Sequence, residues 1–228
     1  MIPLVIDIET RADRLFLDSE GVEEMLRDTV KTGNAKKLDV VAEKREEGVL
    51  KMIERAALSP LTGRVAVISA APLHGNLPVR SFYRDTGNPT EDERDTIREF
   101  FDHILTLNKS EGRPVICGFG VRTFDIPFIT QRACILGLEV PLCWPTARDY
   151  KSVCDVNEAL NPTFAKGLSL DVWLRRFALA PKTAHGSDVE RMSQEQAVAY
   201  CENDVRVERE LVLRCLAMFP TLRYEDDV

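Results

Sequence analysis

The amino-terminal stretch MIPLVIDIET sets two carboxylates, Asp7 and Glu9, inside an apolar run. In a β-strand, side chains i and i+2 leave the same face about 7 Å apart, at ~3.3 Å rise per residue. Leu4, Ile6 and Ile8 would then occupy the opposite face. Two acids on one strand face indicate either a solvated surface or a site that needs negative charge, and this stretch alone leaves both interpretations open.

Four short runs rich in β-branched or aromatic residues predict the strands of one sheet. They lie at residues 4–8, 65–71, 79–83 and 115–119. A turn-forming Pro, His and Gly segment separates the second run from the third and is typical of a hairpin. We therefore expect these two strands to pair antiparallel.

Helix-start patterns appear at two places. Each matches a capping box followed by apolar residues at helical spacing. The first is formed by Thr90 and Glu93, and the second by Ser193 and Gln196. A third helix is expected from residue 126 to residue 138, ending near its glycine. These patterns place helices between and after the strands.

The charged segment 11–60 predicts two or three amphipathic helices inserted after the first strand. Strands with interleaved helices and a helical insertion predict an α/β fold, with a mixed central sheet flanked by helices. The length of 228 residues fits a single domain, residues 1–228. Only the acidic tail, residues 225–228, is expected to fray.

Composition narrows the classes of protein. No run reaches the roughly 18 apolar residues of a membrane span, and no leader pattern opens the chain, so we expect no membrane association and a cytoplasmic location. The six cysteines contain no C-x-x-C pair, which disfavours structural zinc and a disulfide framework. The net charge of −7 disfavours a protein that coats nucleic acid. It does not exclude a nuclease whose carboxylates bind cations.

Two further acidic positions stand in apolar surroundings. Asp125 lies between Phe124 and an Ile-Pro-Phe segment, where it can cap the helix that Pro127 starts or face a site at the end of the preceding strand. In AYCENDV, Tyr200 and Asp204 are spaced i and i+4, hence on one helix face. A tyrosine on an apolar face is ordinary core, but an aspartate beside it is not.

In this order, VIDIET, F-D-x-P-F and Y-x-x-x-D resemble the three exonuclease motifs of the DEDD superfamily, in its tyrosine subclass. The chain is most similar to stand-alone relatives of the 3′–5′ proofreading exonuclease domain of family-B DNA polymerases. The likeness extends over most of the chain, least clearly over residues 11–51. It implies a ribonuclease H-like fold and 3′–5′ exonuclease activity on single-stranded DNA ends.

The resemblance also implies roles for individual residues. Asp7, Glu9, Asp125 and Asp204 match the ligands of two divalent cations, with Asp7 expected to bridge them. Mg²⁺ or Mn²⁺ is expected, because both prefer oxygen ligands. With an unperturbed pKa of about 10, Tyr200 is a poor base at neutral pH and is expected to orient the attacking water.

Candidate substrate contacts are Thr10, Gly120, Phe124 and Lys182. Phe124 can pack under the terminal base or belong to the core, and Lys182 can reach phosphate or lie in solvent. The family usually has an asparagine at the position of Gly120 that helps to hold the substrate strand, so the manner of strand binding is left open. Asp155 is expected at a helix start, outside the metal site.

Two alternatives stay open at this point. The motifs do not distinguish DNA from RNA or short oligonucleotides, because they contain nothing that reads the 2′-hydroxyl. A catalytically inert nucleic-acid-binding module with the same fold is the alternative from another class. The sequence does not indicate a pathway, such as replication, repair or defence, or an oligomeric state.

Overall fold

The computed structural model describes residues 1–33, 37–75, 77–146, 148–161 and 167–219. The predicted frayed tail, residues 225–228, lies outside these ranges. The chain divides into two compact units. The first unit comprises Met1–Glu9 and Val65–Val228, and the second comprises Thr10–Arg64.

A five-stranded sheet forms the centre of the first unit. Its strands are β1 (Ile2–Ala12), β2 (Gly63–Pro72), β3 (Arg80–Phe82), β4 (Pro114–Gly118) and β5 (Val153–Asp155). Their spatial order is β3-β2-β1-β4-β5. The four predicted strands are present, and β5 was not predicted because three residues are too few to show an alternating pattern.

The sheet is mixed, as predicted. β1 pairs parallel with β4, with Val5 opposite Cys117, and β4 pairs parallel with β5. β2 and β3 pair antiparallel with Ile68 opposite Phe82, which confirms the predicted hairpin. Because β1, β4 and β5 run in the same direction, the segments that follow them leave the same edge of the sheet.

Eight α-helices accompany the strands within the described ranges. They are α1 (Arg14–Leu17), α2 (Val22–Thr29), α3 (Leu38–Glu54), α4 (Pro89–Ser110), α5 (Asp125–Ile135), α6 (Val156–Leu160), α7 (Leu170–Arg176) and α8 (Gln194–Met218). Short 3₁₀ helices occupy Ala56–Leu58 and Gly186–Arg191. Of the helices that the structure describes, none has the length and apolar character needed to cross a membrane.

Helices cover both faces of the central strand β1. Leu4, Ile6 and Ile8 lie in one apolar cluster, together with the fully buried Phe100 of α4. Val5, on the opposite face, belongs to a second cluster with Leu211 and other residues of α8. The two strand carboxylates share the face of Val5, so the strand alternation directs them toward the α8 side.

The predicted capping box at the start of α4 is wrong. The N-cap residue is Asn88, whose side chain accepts a hydrogen bond from the backbone N–H of Glu91. Glu93 is instead buried and takes part in a two-pronged ion pair with Arg132 of α5, at 2.9 and 2.7 Å. Its Oε1 also accepts from the N–H of Val65 at 2.8 Å. The Glu93 carboxylate therefore makes tertiary contacts instead of the helix cap that the local sequence pattern predicted.

The predicted start of α8 is confirmed, whereas the helix predicted over residues 126–138 ends at Ile135. Ser193 caps α8, and it forms a reciprocal capping box with Gln196. α5 ends at Ile135, and Gly137 follows with a φ of 69°, the left-handed conformation that glycine adopts without strain.

The second unit holds the helical insertion, and its described residues form three α-helices where two or three were predicted. Val22, Leu26 and Val49 form its small buried cluster. Arg27 of α2 pairs with Glu46 of α3 at 2.7 Å. The unit thus has an apolar cluster of its own between α2 and α3.

We expect Glu93→Ala to lower the free energy of unfolding by about 3–5 kcal/mol, because it leaves Arg132 as a buried charge without its carboxylate partner. The double variant Glu93→Leu/Arg132→Met should lose less than Glu93→Ala alone, since no uncompensated charge stays buried. Urea denaturation measures both. Asp95→Ala, which breaks an exposed pair with Arg98, is the matched control and should cost less than about 1 kcal/mol. A double variant at least as unstable as the single variant would contradict this explanation.

Candidate metal centre

Three carboxylates converge where the carboxyl half of β1 meets the middle of α8. Asp7, Glu9 and Asp204 each present an oxygen atom within 4.8 Å of the other two. Glu9 is 7% exposed and Asp204 is 1% exposed, so the group lies largely out of water. Asp7 and Glu9 lie on one face of β1 because side chains alternate along a strand, and Asp204 reaches the same place from α8.

Asp125 reaches the same strand by another route. It is the first residue of α5, and Phe124 rather than Asp125 is the N-cap residue. The Asp125 Oδ1 accepts a hydrogen bond at 3.2 Å from the backbone N–H of Ile8, which lies between the two acids of β1. The structure therefore brings Asp125 next to the pair on β1, although it is not in the 4.8 Å group formed by the other three.

Lys182 supplies a positive charge to the cluster. Its Nζ lies 2.5 Å from Oδ2 of Asp204 and 5.2 Å from the centre of the Tyr200 ring. Burial lowers the pKa of Lys182, but the carboxylates of Asp204 and Asp7 outweigh it and raise that pKa above its ordinary value. The ammonium therefore stays charged and offsets part of the acidic cluster.

The acids of the cluster hold protons more tightly than free carboxylates do. Burial and the charge of Asp204 raise the pKa of Asp7 well above its ordinary value. Burial and the charge of Asp7 raise the pKa of Glu9 to about 10. Burial also raises the pKa of Asp204, and it raises the pKa of Asp125 to about 7. Binding a cation would favour the ionised forms and release these protons.

Tyr200 precedes Asp204 by one helical turn and is 3% exposed. Its hydroxyl is buried and interacts with the side chains of Lys182 and Asp204. Burial raises the pKa of the Tyr200 phenol above its ordinary value, so the hydroxyl keeps its proton at neutral pH. A buried hydroxyl in this state is a hydrogen-bond donor that suits a ligand.

The donor set fits a hard divalent cation. Asp7, Glu9 and Asp204 offer only carboxylate oxygens, the ligands that Mg²⁺ and Mn²⁺ prefer. Electrostatic repulsion among these buried carboxylates is costly unless positive charge lies nearby, and Lys182 supplies a single positive charge. The structure thus contains an acidic cluster that could hold a metal ion.

Two residues of the site were missed in the sequence. Cys201 donates its thiol at 3.3 Å to both the backbone oxygen and Oδ2 of Asp7. Burial raises the pKa of the Cys201 thiol well above its ordinary value, so it stays a donor. No local pattern marks such a contact, because Asp7 and Cys201 are 194 positions apart.

Glu208 is the second missed residue. It follows Asp204 by one helical turn, is 4% exposed, and accepts a hydrogen bond from the N–H of Phe119 at 3.1 Å. A Cβ atom on Gly118 would lie 2.9 Å from Glu208 Oε2, so this close approach requires glycine. Glu208 thereby ties α8 to the loop that leads into α5. The i, i+4 row from Tyr200 through Asp204 to Glu208 was the signal available in the sequence.

The loop before α5 is held from its other side by Asp155. Asp155 caps α6 and accepts from the N–H of Gly120 at 2.8 Å and from that of Arg122 at 3.0 Å. Gly120 has a φ of 86°, in the left-handed region. Asp155 is thus a helix-start residue that holds the loop, and it is not part of the 4.8 Å group.

The other candidate substrate residues lie in ordinary packing. The ring of Phe124 packs against Phe128 at 5.4 Å, on the edge of the first apolar cluster. Thr10 belongs to the second unit, where its hydroxyl donates to the carbonyl of Ala57 at 2.6 Å.

No protein-family model and no curated protein matches this sequence. Among solved structures, the family B DNA polymerase from the hyperthermophilic archaeon Pyrobaculum calidifontis matches with a TM-score of 0.59 at 18% sequence identity. The match covers 95% of this chain and 25% of the polymerase chain, so this chain spans about a quarter of that protein's length. The likeness shows the fold, an α/β fold with a mixed five-stranded sheet flanked by helices, consistent with the predicted ribonuclease H-like class.

We expect Glu208→Gln to leave the free energy of unfolding nearly unchanged at pH 7. Burial raises the pKa of Glu208 well above its ordinary value, which favours the neutral carboxyl, and the neutral glutamine keeps an oxygen for the Phe119 N–H. Glu208→Ala removes that acceptor and should cost about 1–3 kcal/mol. Urea denaturation separates the two, with Glu210→Ala on the exposed face of α8 as control. Equal losses for Gln and Ala would contradict the hydrogen-bond role.

The metal-free protein should lose stability as the pH rises. Between about pH 5 and pH 10 the unfolded chain releases the Glu9 proton while the folded chain retains it, because the pKa of Glu9 rises from 4.5 to about 10 on folding. Glu9→Gln removes this term and should raise stability at pH 8 by about 1–2 kcal/mol. Melting temperatures in EDTA at pH 5.5 and pH 8 test it, with Glu210→Gln as control. Parallel pH profiles for the Glu9→Gln variant and the wild type would overturn the expectation.

Proposed function

We propose that this chain is a metal-dependent 3′–5′ exonuclease of the tyrosine type. It hydrolyses the terminal phosphodiester at the 3′ end of single-stranded DNA and releases nucleoside 5′-monophosphates. The observation that carries the proposal is the approach of Asp7, Glu9 and Asp204 to within 4.8 Å, with Tyr200 one turn from Asp204. The fold shared with a family B DNA polymerase supports it.

Asp7, Glu9 and Asp204 would hold the cations, with Asp125 as the fourth ligand. Mg²⁺ or Mn²⁺ bound there supplies the Lewis acidity that activates water and stabilises charge on the leaving 3′ oxygen. The chain contributes a largely buried setting, in which these electrostatic interactions are stronger than in water.

In the proposed reaction, water attacks the terminal phosphorus and the bond from phosphorus to the 3′ oxygen breaks. Tyr200 orients the attacking water through its hydroxyl, since its raised pKa prevents it from acting as a base. Lys182 is within reach of the acidic cluster and contacts a phosphate oxygen as the charge develops. The released product carries a 5′-phosphate, and the shortened strand ends in a 3′-hydroxyl.

The proposal also covers the substrate contacts, the extent of the domain and its location in the cell. Thr10, Gly120 and Phe124 contact the substrate strand, in addition to Lys182. Residues 1–228 act as one exonuclease domain with residues 11–60 as an insertion, in the cytoplasm and without membrane association.

Incubation of 5′-labelled single-stranded DNA and RNA with Mg²⁺ or Mn²⁺ tests the activity. We expect a ladder that shortens from the 3′ end of DNA, with nucleoside 5′-monophosphates identified by mass spectrometry. Asp7→Ala and Asp204→Asn should each lower the rate by about a thousandfold or more, since each removes a cation ligand. EDTA should abolish the activity.

Glu210→Gln, on the exposed side of α8, is the control for Asp204→Asn and should retain full activity. A ladder from RNA alone would replace the DNA assignment with an exoribonuclease. The proposed nuclease activity would be contradicted if no ladder formed under any condition, or if Asp7→Ala kept full activity. Either result would favour an inert binding module.

A further inference from the structure

A groove of about 590 Å³ opens beside Tyr200, on the side of α8 that carries Gln196, Asn203 and Arg206. Arg191, from the 3₁₀ helix that precedes α8, lines its other side. This volume is within the roughly 300–1,000 Å³ of small-ligand sites. The groove therefore adjoins the acidic cluster through Tyr200, which lines the groove and lies one turn from Asp204.

Two arginines and one aspartate are the charged residues that line this groove. Arg191 and Arg206 are exposed, and Asp188 is the acidic residue among the lining groups. Asp188 already accepts a hydrogen bond from the N–H of His185. Arg206 pairs with Glu202 at 2.7 Å, but with the arginine 54% exposed the pair is weak and can exchange for a phosphate. The local charge thus opposes the net charge of −7 of the chain.

The polar groups of the groove suit an acceptor-rich ligand. Gln196 and Asn203 carry amide N–H₂ groups, which are donors. Tyr200 lines the end of the groove next to the cluster, where its hydroxyl is a further polar group beside Lys182 and Asp204. Arginine and amide donors are the groups that most often contact phosphate and sugar oxygens.

We propose that this groove binds the nucleic-acid strand next to the scissile phosphate, with Arg191 and Arg206 contacting backbone phosphates. The assignment rests on the proposed function, because it uses Tyr200 as the boundary between groove and reacting phosphate. Phosphate contacts carry no base information, so binding here is independent of sequence. The groove gives an acidic protein the local positive charge that a polyanionic strand requires.

Fluorescence anisotropy with a labelled oligothymidylate, in Ca²⁺ to suppress turnover, measures strand affinity directly. The double variant Arg191→Ala/Arg206→Ala should weaken binding about tenfold or more. Its slope of log affinity against log salt should become shallower by about 0.7 for each phosphate that the variant no longer neutralises. The charge-matched control Arg209→Ala/Arg214→Ala alters the same helix outside the groove and should bind within about twofold of wild type.

Hydrolysis of thymidine 5′-(p-nitrophenyl phosphate), which is too short to extend along the groove, gives a second readout. The groove variant should lose far more kcat/KM on the oligonucleotide than on this small diester. Unchanged anisotropy, an equal loss on both substrates, or an equal loss in the control would each overturn the groove assignment. A wild-type protein that cleaves neither substrate contradicts the proposed function instead, and the anisotropy still decides whether the groove binds a strand.

Discussion

Electrostatic repulsion among buried carboxylates is the constraint on which the rest of the first unit depends. Three of them lie within 4.8 Å of one another in a setting where an unpaired charge is expensive. The surrounding chain offsets part of that cost through the ammonium of Lys182 and the thiol of Cys201. Raised pKa values leave some of the acids protonated. Protonation therefore lowers the repulsion in the metal-free unit, and a bound cation would neutralise the cluster in its place.

The loop that leads into α5 depends on two carboxylates outside this cluster. Glu208 accepts from the N–H of Phe119, and Asp155 accepts from the N–H groups of Gly120 and Arg122. Both acceptors are nearly inaccessible to water, so each hydrogen bond replaces one that solvent cannot provide. The position of Asp125 at the start of α5 is consequently set from α8 on one side and from α6 on the other.

Local patterns in the sequence predicted the elements of the fold better than the contacts among them. The long alternating strands and the α8 capping box were predicted because each is encoded within a few neighbouring residues. β5 is too short to show an alternating pattern. Glu93 pairs with Arg132 and does not form the predicted helix cap. The cluster itself followed from strand and helix spacing, and Glu208 lies on the same i, i+4 row of α8. Lys182 and Cys201 join the cluster through tertiary contacts that spacing does not reveal.

The glycine at position 120 makes sense when the loop and the groove are considered together. Its φ of 86° and its hydrogen bond to Asp155 fix the loop backbone without any side chain. The nearest atom to a Cβ placed there is Thr123 Oγ1, at 3.9 Å, so the surrounding space does not exclude a side chain. Asparagine tolerates the left-handed region better than most residues, so loop geometry alone does not demand glycine. With glycine at position 120, this chain lacks the side-chain amide that the family's asparagine uses to help hold the substrate strand. In our proposal, Arg191 and Arg206 provide that hold through backbone phosphates, which makes strand capture depend on charge rather than on base contacts.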